Sequence, residues 1–152
     1  MILGDYANAD SAGKVNILGA GWQVAPLQPT GFTPPHALAA LIAAPPRYYD
    51  QEFAVTITLR DEAGQPVQVP GPIGEPQTLR VQQILKAERP AAPGMLTMDK
   101  PWAQAKVMVN FLNGLPLQGS HLYTWDLEIE GTPNPAWAVS FFVAGPASPV
   151  IG

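Results

Sequence analysis

Hydrophobic positions along this chain recur mostly at every second residue. Over 52–60, Phe53, Val55, Ile57 and Leu59 alternate with Glu52, Ala54, Thr56, Thr58 and Arg60. Over 121–130, Tyr123, Trp125, Leu127 and Ile129 alternate with Thr124, Asp126, Glu128 and Glu130. The same rhythm sets Val107, Val109 and Phe111 on one face over 106–111, and Trp137, Val139, Phe141 and Val143 on one face over 136–144. Successive side chains of a strand point to opposite faces, so each run predicts a half-buried strand. Their β-branched and aromatic residues suit a pleated surface. Trp125 and Trp137 follow the inward parity and are expected to pack in the core.

Weaker runs extend the series. Residues 1–7 and 14–18 flank a turn-rich stretch, 8–13, and predict a hairpin. A glycine-marked bend at 18–22 leads to a short strand over 22–24. The segment 36–44 is apolar on both faces. It fits a buried central strand better than a short helix, although its alanines favour helix. A turn at 61–64 leads into 65–69, and 78–87 reads as a strand in which 81–85 could instead form a helical turn. Eight or nine strands at this spacing predict an all-β protein. The expected form is an antiparallel β-sandwich, immunoglobulin-like or jelly-roll-like, spanning 1–152 as one domain.

Proline sharpens this map. The chain has 18 prolines among 152 residues, and proline neither donates to a ladder nor survives inside a helix. The proline-free segments 1–25, 36–44, 47–65, 77–89, 94–100, 102–115, 117–132 and 136–145 should therefore hold the regular structure. Long loops are expected at 25–35, 70–77 and 88–101, and an uncharged extended arm at 145–152.

Composition then narrows the classes of function. Hydrophobic residues make up 47% of the chain and charged residues only 13%, about half the usual roughly 25%. A disordered chain is not expected, and a surface rich in neutral groups favours contact with other proteins. The net charge is −4 and the 8 basic residues are scattered, so no nucleic acid is expected as a partner. The absence of cysteine removes disulfides and thiolate metal sites. The first residues lack the basic and apolar regions of a signal peptide. The longest apolar stretch, 37–46, is too short to cross a bilayer as a helix. No membrane partner is therefore expected.

Candidate chemistry is sparse. Gly19 and Gly21 bracket one residue as in a dinucleotide loop, but no third glycine or downstream ribose-binding acid follows, and turn glycines are the better reading. Asp126, Glu128 and Glu130 put three carboxylates on one strand face, which suits a solvated face better than a cation site. His36 and His121 have no acid or histidine at zinc-ligand spacing. Ser120 and His121 are adjacent, so a strand would point them apart, and no nucleophile elbow occurs. No catalytic residue, cofactor or metal is expected, and the chain is expected not to be an enzyme. Trp22, Tyr48, Tyr49 and Trp102 fall in or near loops. They could cap the ends of the fold, stack on a ligand or bury in a partner.

Four segments also carry a family likeness: Leu3-Gly4-Asp5-Tyr6-Ala7, the run 13–22 ending Gly19-Ala20-Gly21-Trp22, the run 53–64 ending Asp61-Glu62-Ala63-Gly64, and the run 123–131 from Tyr123 to Gly131. Together they resemble an uncharacterised domain-of-unknown-function family of small β-sandwich proteins from actinobacteria and their phages. The resemblance implies a sandwich and transfers no catalytic role. Its phage side, with the low charge and the proline-rich arms, suggests a non-enzymatic structural protein of a phage particle, such as a capsid decoration or minor capsid protein located in the virion. The expected partner is a major capsid protein or a second copy of the chain, and the expected contact residues are Met1, Ile2, Met95, Leu96, Trp102, Pro146, Pro149, Val150 and Ile151. The alternative is a carbohydrate- or ligand-binding module stacking on Trp22, Tyr48 or Tyr49, with a cytoplasmic location outside the phage setting.

Overall fold

The computed structural model describes residues 1–71, 74–89 and 101–145. The chain is all-β, and thirteen strands are seen among the described residues. They are β1 (Ile2–Gly4), β2 (Tyr6–Ala9), β3 (Val15–Leu18), β4 (Val24–Pro26), β5 (His36–Ala44), β6 (Glu52–Arg60), β7 (Gln68–Pro70), β8 (Pro76–Thr78), β9 (Arg80–Lys86), β10 (Ala103–Phe111), β11 (His121–Ile129), β12 (Thr132–Pro133) and β13 (Val139–Ala144). One sheet has three strands in the order β1-β5-β10. A six-stranded sheet runs β4-β13-β11-β6-β9, with β12 added beside β11, and curls as a half-barrel. Two hairpins, β2-β3 and β7-β8, complete the set.

The alternation read from the sequence decides which faces are buried. Val55, Ile57 and Leu59 of β6, Tyr123, Trp125 and Leu127 of β11, and Phe141 and Val143 of β13 point inward. They meet Leu3 of β1, Leu38 and Ala40 of β5, and Val107 of β10 in one cluster. Both sheets thus contribute to a single core, and each large apolar side chain buried there stabilises the fold by about 1.5–3 kcal/mol. Trp125 is fully buried.

The double-sided apolar character of β5 also has a cause. Its inner face joins the main core, while Ala37 and Ala39 on its outer face pack under Ala7, with Ile17 and Met108 beside them. The hairpin β2-β3 therefore lies over one half of that outer face. Asn110 pins it there, donating to Ala7 O at 2.9 Å and accepting from Ala7 N at 3.0 Å.

Several expectations need correction. Strands number more than eight or nine because glycine, proline and aspartate cut the runs into short pieces. The first expected hairpin is two units: β2 pairs β3, whereas β1 leaves at Gly4 to pair β5. The stretch 70–77 is not wholly a loop, because β7 and β8 pair through Pro70 and Pro76. The strand expected over 136–144 starts only at Val139. Pro135–Trp137 is a 3-10 turn with proline in its first turn, and the Asn134 side chain accepts from Ala136 N at 3.0 Å. Pairing is not antiparallel throughout, since β4 runs parallel to β13. A parallel neighbour needs a long connection, and more than a hundred residues separate these two. The segment 36–44 is a strand, as expected, and 80–86 is strand with no helical turn.

Candidate functional site

The core is finished differently at its two ends. Near the start of β5, His36 is only 2% exposed. Its ring stacks on Trp22 at 5.1 Å and lies 5.0 Å from Phe111, which in turn stacks on Trp125 at 5.5 Å. His36 Nδ1 lies 2.9 Å from the Pro34 carbonyl. A carbonyl can only accept, so Nδ1 carries the proton and Nε2 presents a bare lone pair. Nε2 has no partner among the described residues. Burial pushes the pKa of this imidazole below its usual value, partly offset by the Pro34 bond.

Two loops lock over this end. Thr33 N donates to Leu115 O at 2.9 Å, and Leu115 N donates to Thr33 Oγ1 at 2.9 Å. The contact is tight enough to require glycine next door: at Gly114, with φ +69°, a Cβ would sit 1.8 Å from Thr33 O. Trp22 belongs to this closure, with its Nε1 donating to Asp5 Oδ1 at 2.8 Å. One face of its ring stacks on His36, and its ring N–H is held by Asp5.

Among the described residues the other end is open. A cleft of 580 Å³ lies where β5 ends and β6 begins, walled by Ile42, Phe53, Ile129 and Trp137, with Tyr48 at its rim. Gln51, Glu52 and Glu130 supply its polar side. A smaller recess of 130 Å³ shares Ile42, Ala43, Ile129 and Trp137 and adds Met1, Ala40 and Leu127. The two adjoin along these four shared residues and make a channel-like pair from the Met1 side of β5 to Tyr48.

An incomplete strand edge runs along the same channel. β1 covers β5 only from Ala37 to Ala39, whereas β10 covers it from His36 to Ala44. Leu3 sends its carbonyl away from β5 to Gly21 N at 2.9 Å, so Ile2 and Gly4 turn theirs toward Ala39 and Ala37. The alternation of a strand then aims the main-chain N–H and C=O of Leu41 and Ala43 at the side that β1 leaves uncovered. No described strand pairs with them there. Leu41 is 57% exposed.

The expected site residues divide accordingly. Met1 and Tyr48 reach the channel. Ile2 is spent on pairing with Ala39 and stays partly exposed. Tyr49 donates its hydroxyl to Pro101 O and lies under the Arg89 guanidinium, 4.9 Å from the ring. Trp102 is 57% exposed and lines none of these recesses. Met95, Leu96, Pro146, Pro149, Val150 and Ile151 lie outside the described residues, as do most of the loop 88–101 and the arm after Gly145. Ile42, Phe53 and Trp137 are site residues that the sequence pattern assigned only to packing.

The acidic ladder is occupied. Asp126 Oδ2 lies 2.8 Å from Arg60 Nε and Glu128 Oε1 lies 3.8 Å from Arg60 Nη2, while Glu130 accepts from Ala54 N. His121 pairs with Glu62 at 3.0 Å beside a recess of 330 Å³. Asp61 there is committed to a turn, accepting from Ala63 N and Gln65 N. The Tyr123 hydroxyl accepts from Gln118 N at 3.0 Å, and burial raises its pKa. Among the described residues no group of three or more His, Cys, Asp or Glu side chains is placed to hold a metal ion.

Among the described residues, fold and site define an all-β protein with one closed end and one open end beside an incompletely paired strand edge. The chain belongs to a family of unknown function, DUF6941, whose profile matches residues 1–143. No curated protein and no solved structure matches it.

Proposed function

We propose that this protein is a non-enzymatic attachment protein that works by holding another protein chain. The observation that carries the proposal is the open channel lined by Ile42, Ile129 and Trp137 beside the incomplete edge of β5. An apolar recess next to unpaired main chain suits a polypeptide partner, and the low charge of the chain points the same way. In this reading the two sheets around one core are the layers of a β-sandwich, immunoglobulin-like or jelly-roll-like. The narrower setting is a phage particle of an actinobacterial host. There the protein would be a capsid decoration or minor capsid protein, bound to the major capsid protein or to a second copy of itself. That setting rests on the four sequence segments and the composition. Co-sedimentation with purified particles tests it: the protein should pellet with them, and recovery wholly in the supernatant would remove the phage setting.

A second reading has its own support. Tyr48 and Trp137 share the cleft with Gln51, Glu52 and Glu130, a mixture of aromatic faces and polar groups that suits a carbohydrate or other small ligand. Titration with oligosaccharides should then change tryptophan emission in the isolated protein, and Trp137→Phe should abolish the change.

A further inference from the structure

We infer that the uncovered edge of β5 accepts an added strand: an extended, mainly apolar segment of a partner protein with a basic residue at its N-terminal end. This rests on the attachment reading and gives it a chemistry and a register.

The geometry fixes the details. The added strand continues the line of β1 beyond Met1 and runs antiparallel to β5 along residues 41–44. Its residues opposite Leu41 and Ala43 exchange main-chain hydrogen bonds with them, because those two residues aim their N–H and C=O outward. Directly opposed residues of an antiparallel pair share a face. Side chains opposite Ile42 and Ala44 therefore point inward, to the channel between Ile42, Leu127, Ile129 and Trp137. Small or β-branched apolar side chains fit a recess of 130 Å³ that adjoins the cleft of 580 Å³. Running antiparallel to β5 puts the N-terminal end of the segment near Ala44, where Glu52 and Glu130 line the cleft. Glu52 has no ion-pair partner among the described residues, while the neighbouring Lys86 turns to Asp50 at 3.6 Å. A basic group on the incoming segment complements this mouth.

The test uses the full chain and a short acetylated peptide, lysine followed by alternating valine and threonine. Valines are to face the channel and threonines to bond β5. Binding is read by tryptophan emission, which Trp137 reports, and by titration calorimetry. In the free protein the amides of Leu41 and Ala43 should exchange with solvent quickly, and added peptide should slow them. N-methylation of the threonine amides should weaken binding by about tenfold or more, as two lost hydrogen bonds imply, whereas N-methylation of the valine amides should leave it nearly unchanged. Ala43→Pro removes one outward N–H without touching the ladder to β10, so it should weaken peptide binding in the same direction by a smaller factor while the thermal midpoint holds.

Three results overturn the inference. Leu41 and Ala43 amides already protected in the free protein mean that the chain itself or a second copy covers the edge. Equal binding of both methylated peptides means that side chains lodge in the cleft without strand addition. No binding at millimolar peptide removes the site altogether. The wider reading is judged separately. If co-sedimentation with particles persists in Ala43→Pro, attachment stands and the edge is not its means; if the peptide binds but particles do not, strand addition stands and the phage setting falls.

Discussion

The sealed and open ends of this molecule are built from the same strands and finished in opposite ways. At the sealed end, Trp22, His36, Phe111 and Trp125 form an unbroken row of aromatic contacts, and the loops carrying Thr33 and Leu115 bond across it. At the open end, Phe53 and Trp137 stand apart across a cleft, and β1 stops short of the last residues of β5. The contrast teaches that inward parity along a strand says which side chains face the core. It does not say whether a second layer meets them along their whole length.

Matched substitutions at the two ends should separate them by size of effect. Gly114 and Gly131 both have positive φ, near +70°, but a Cβ at Gly131 meets nothing within 4 Å. Gly131→Ala should therefore cost only the left-handed strain, about 1–2 kcal/mol. Gly114→Ala adds a collision with the Thr33 backbone and should exceed about 4 kcal/mol or prevent folding. Urea unfolding of both variants reads the difference, and equal losses would erase the distinction between the ends.

Tryptophan truncation makes a milder comparison. Trp125→Ala should lose about 3–5 kcal/mol from the packed core. Trp137→Ala, at a half-buried position beside a cavity that already exists, should lose less than about 2 kcal/mol. A larger loss at Trp137 would mean that the open end is packed after all.

Acid should weaken the sealed end selectively. The folded state holds His36 neutral with a pKa below its unfolded value of 6.5. Below 6.5 the unfolded chain binds a proton that the folded chain refuses, so stability falls as pH drops from there toward the lower folded pKa. The slope from this one group is at most about 1.4 kcal/mol per pH unit. His36→Phe should flatten that part of the profile of unfolding free energy against pH, and an unchanged profile would assign the acid response to other groups. The smallest expected effect is on the outer face of β11. Asp126→Asn should cost less than about 1 kcal/mol, because its pair with Arg60 is partly solvated.

Much of this architecture could be read from the chain. The strands around Ile57, Val109 and Leu127 were legible because period-two alternation is a local property of each strand. Even the two-faced burial of β5 showed in its sequence, although the cover over its outer face is a hairpin clamped by Asn110, more than a hundred residues away. What could not be read was pairing. Nothing in Val24–Pro26 announces a parallel neighbour, and nothing in Ile2–Gly4 announces how far along β5 it will extend. Trp137 shows the cost for the site: its position in the alternation marks it as apolar and inward, while the cavity before it depends on where three other elements end. Tyr48 and Trp22 drew attention alike as aromatics near loops, yet Tyr48 lines the cleft while Trp22 stacks on His36 at the other end.

The parallel pairing of β4 with β13 has a consequence for how the protein is made. Val24 sits beside Phe142, and Ala25, fully buried, sits beside Val143. During synthesis from the N-terminus, β4 has no neighbour until nearly the whole chain has emerged from the ribosome. The β4 segment therefore finds its strand partner only when β13 is made, and it stays available to wrong partners throughout elongation. Nascent chains stalled before residue 139 should remain protease-sensitive around Val24, and those extended past Ala144 by a linker long enough to clear the exit tunnel should become resistant in one step.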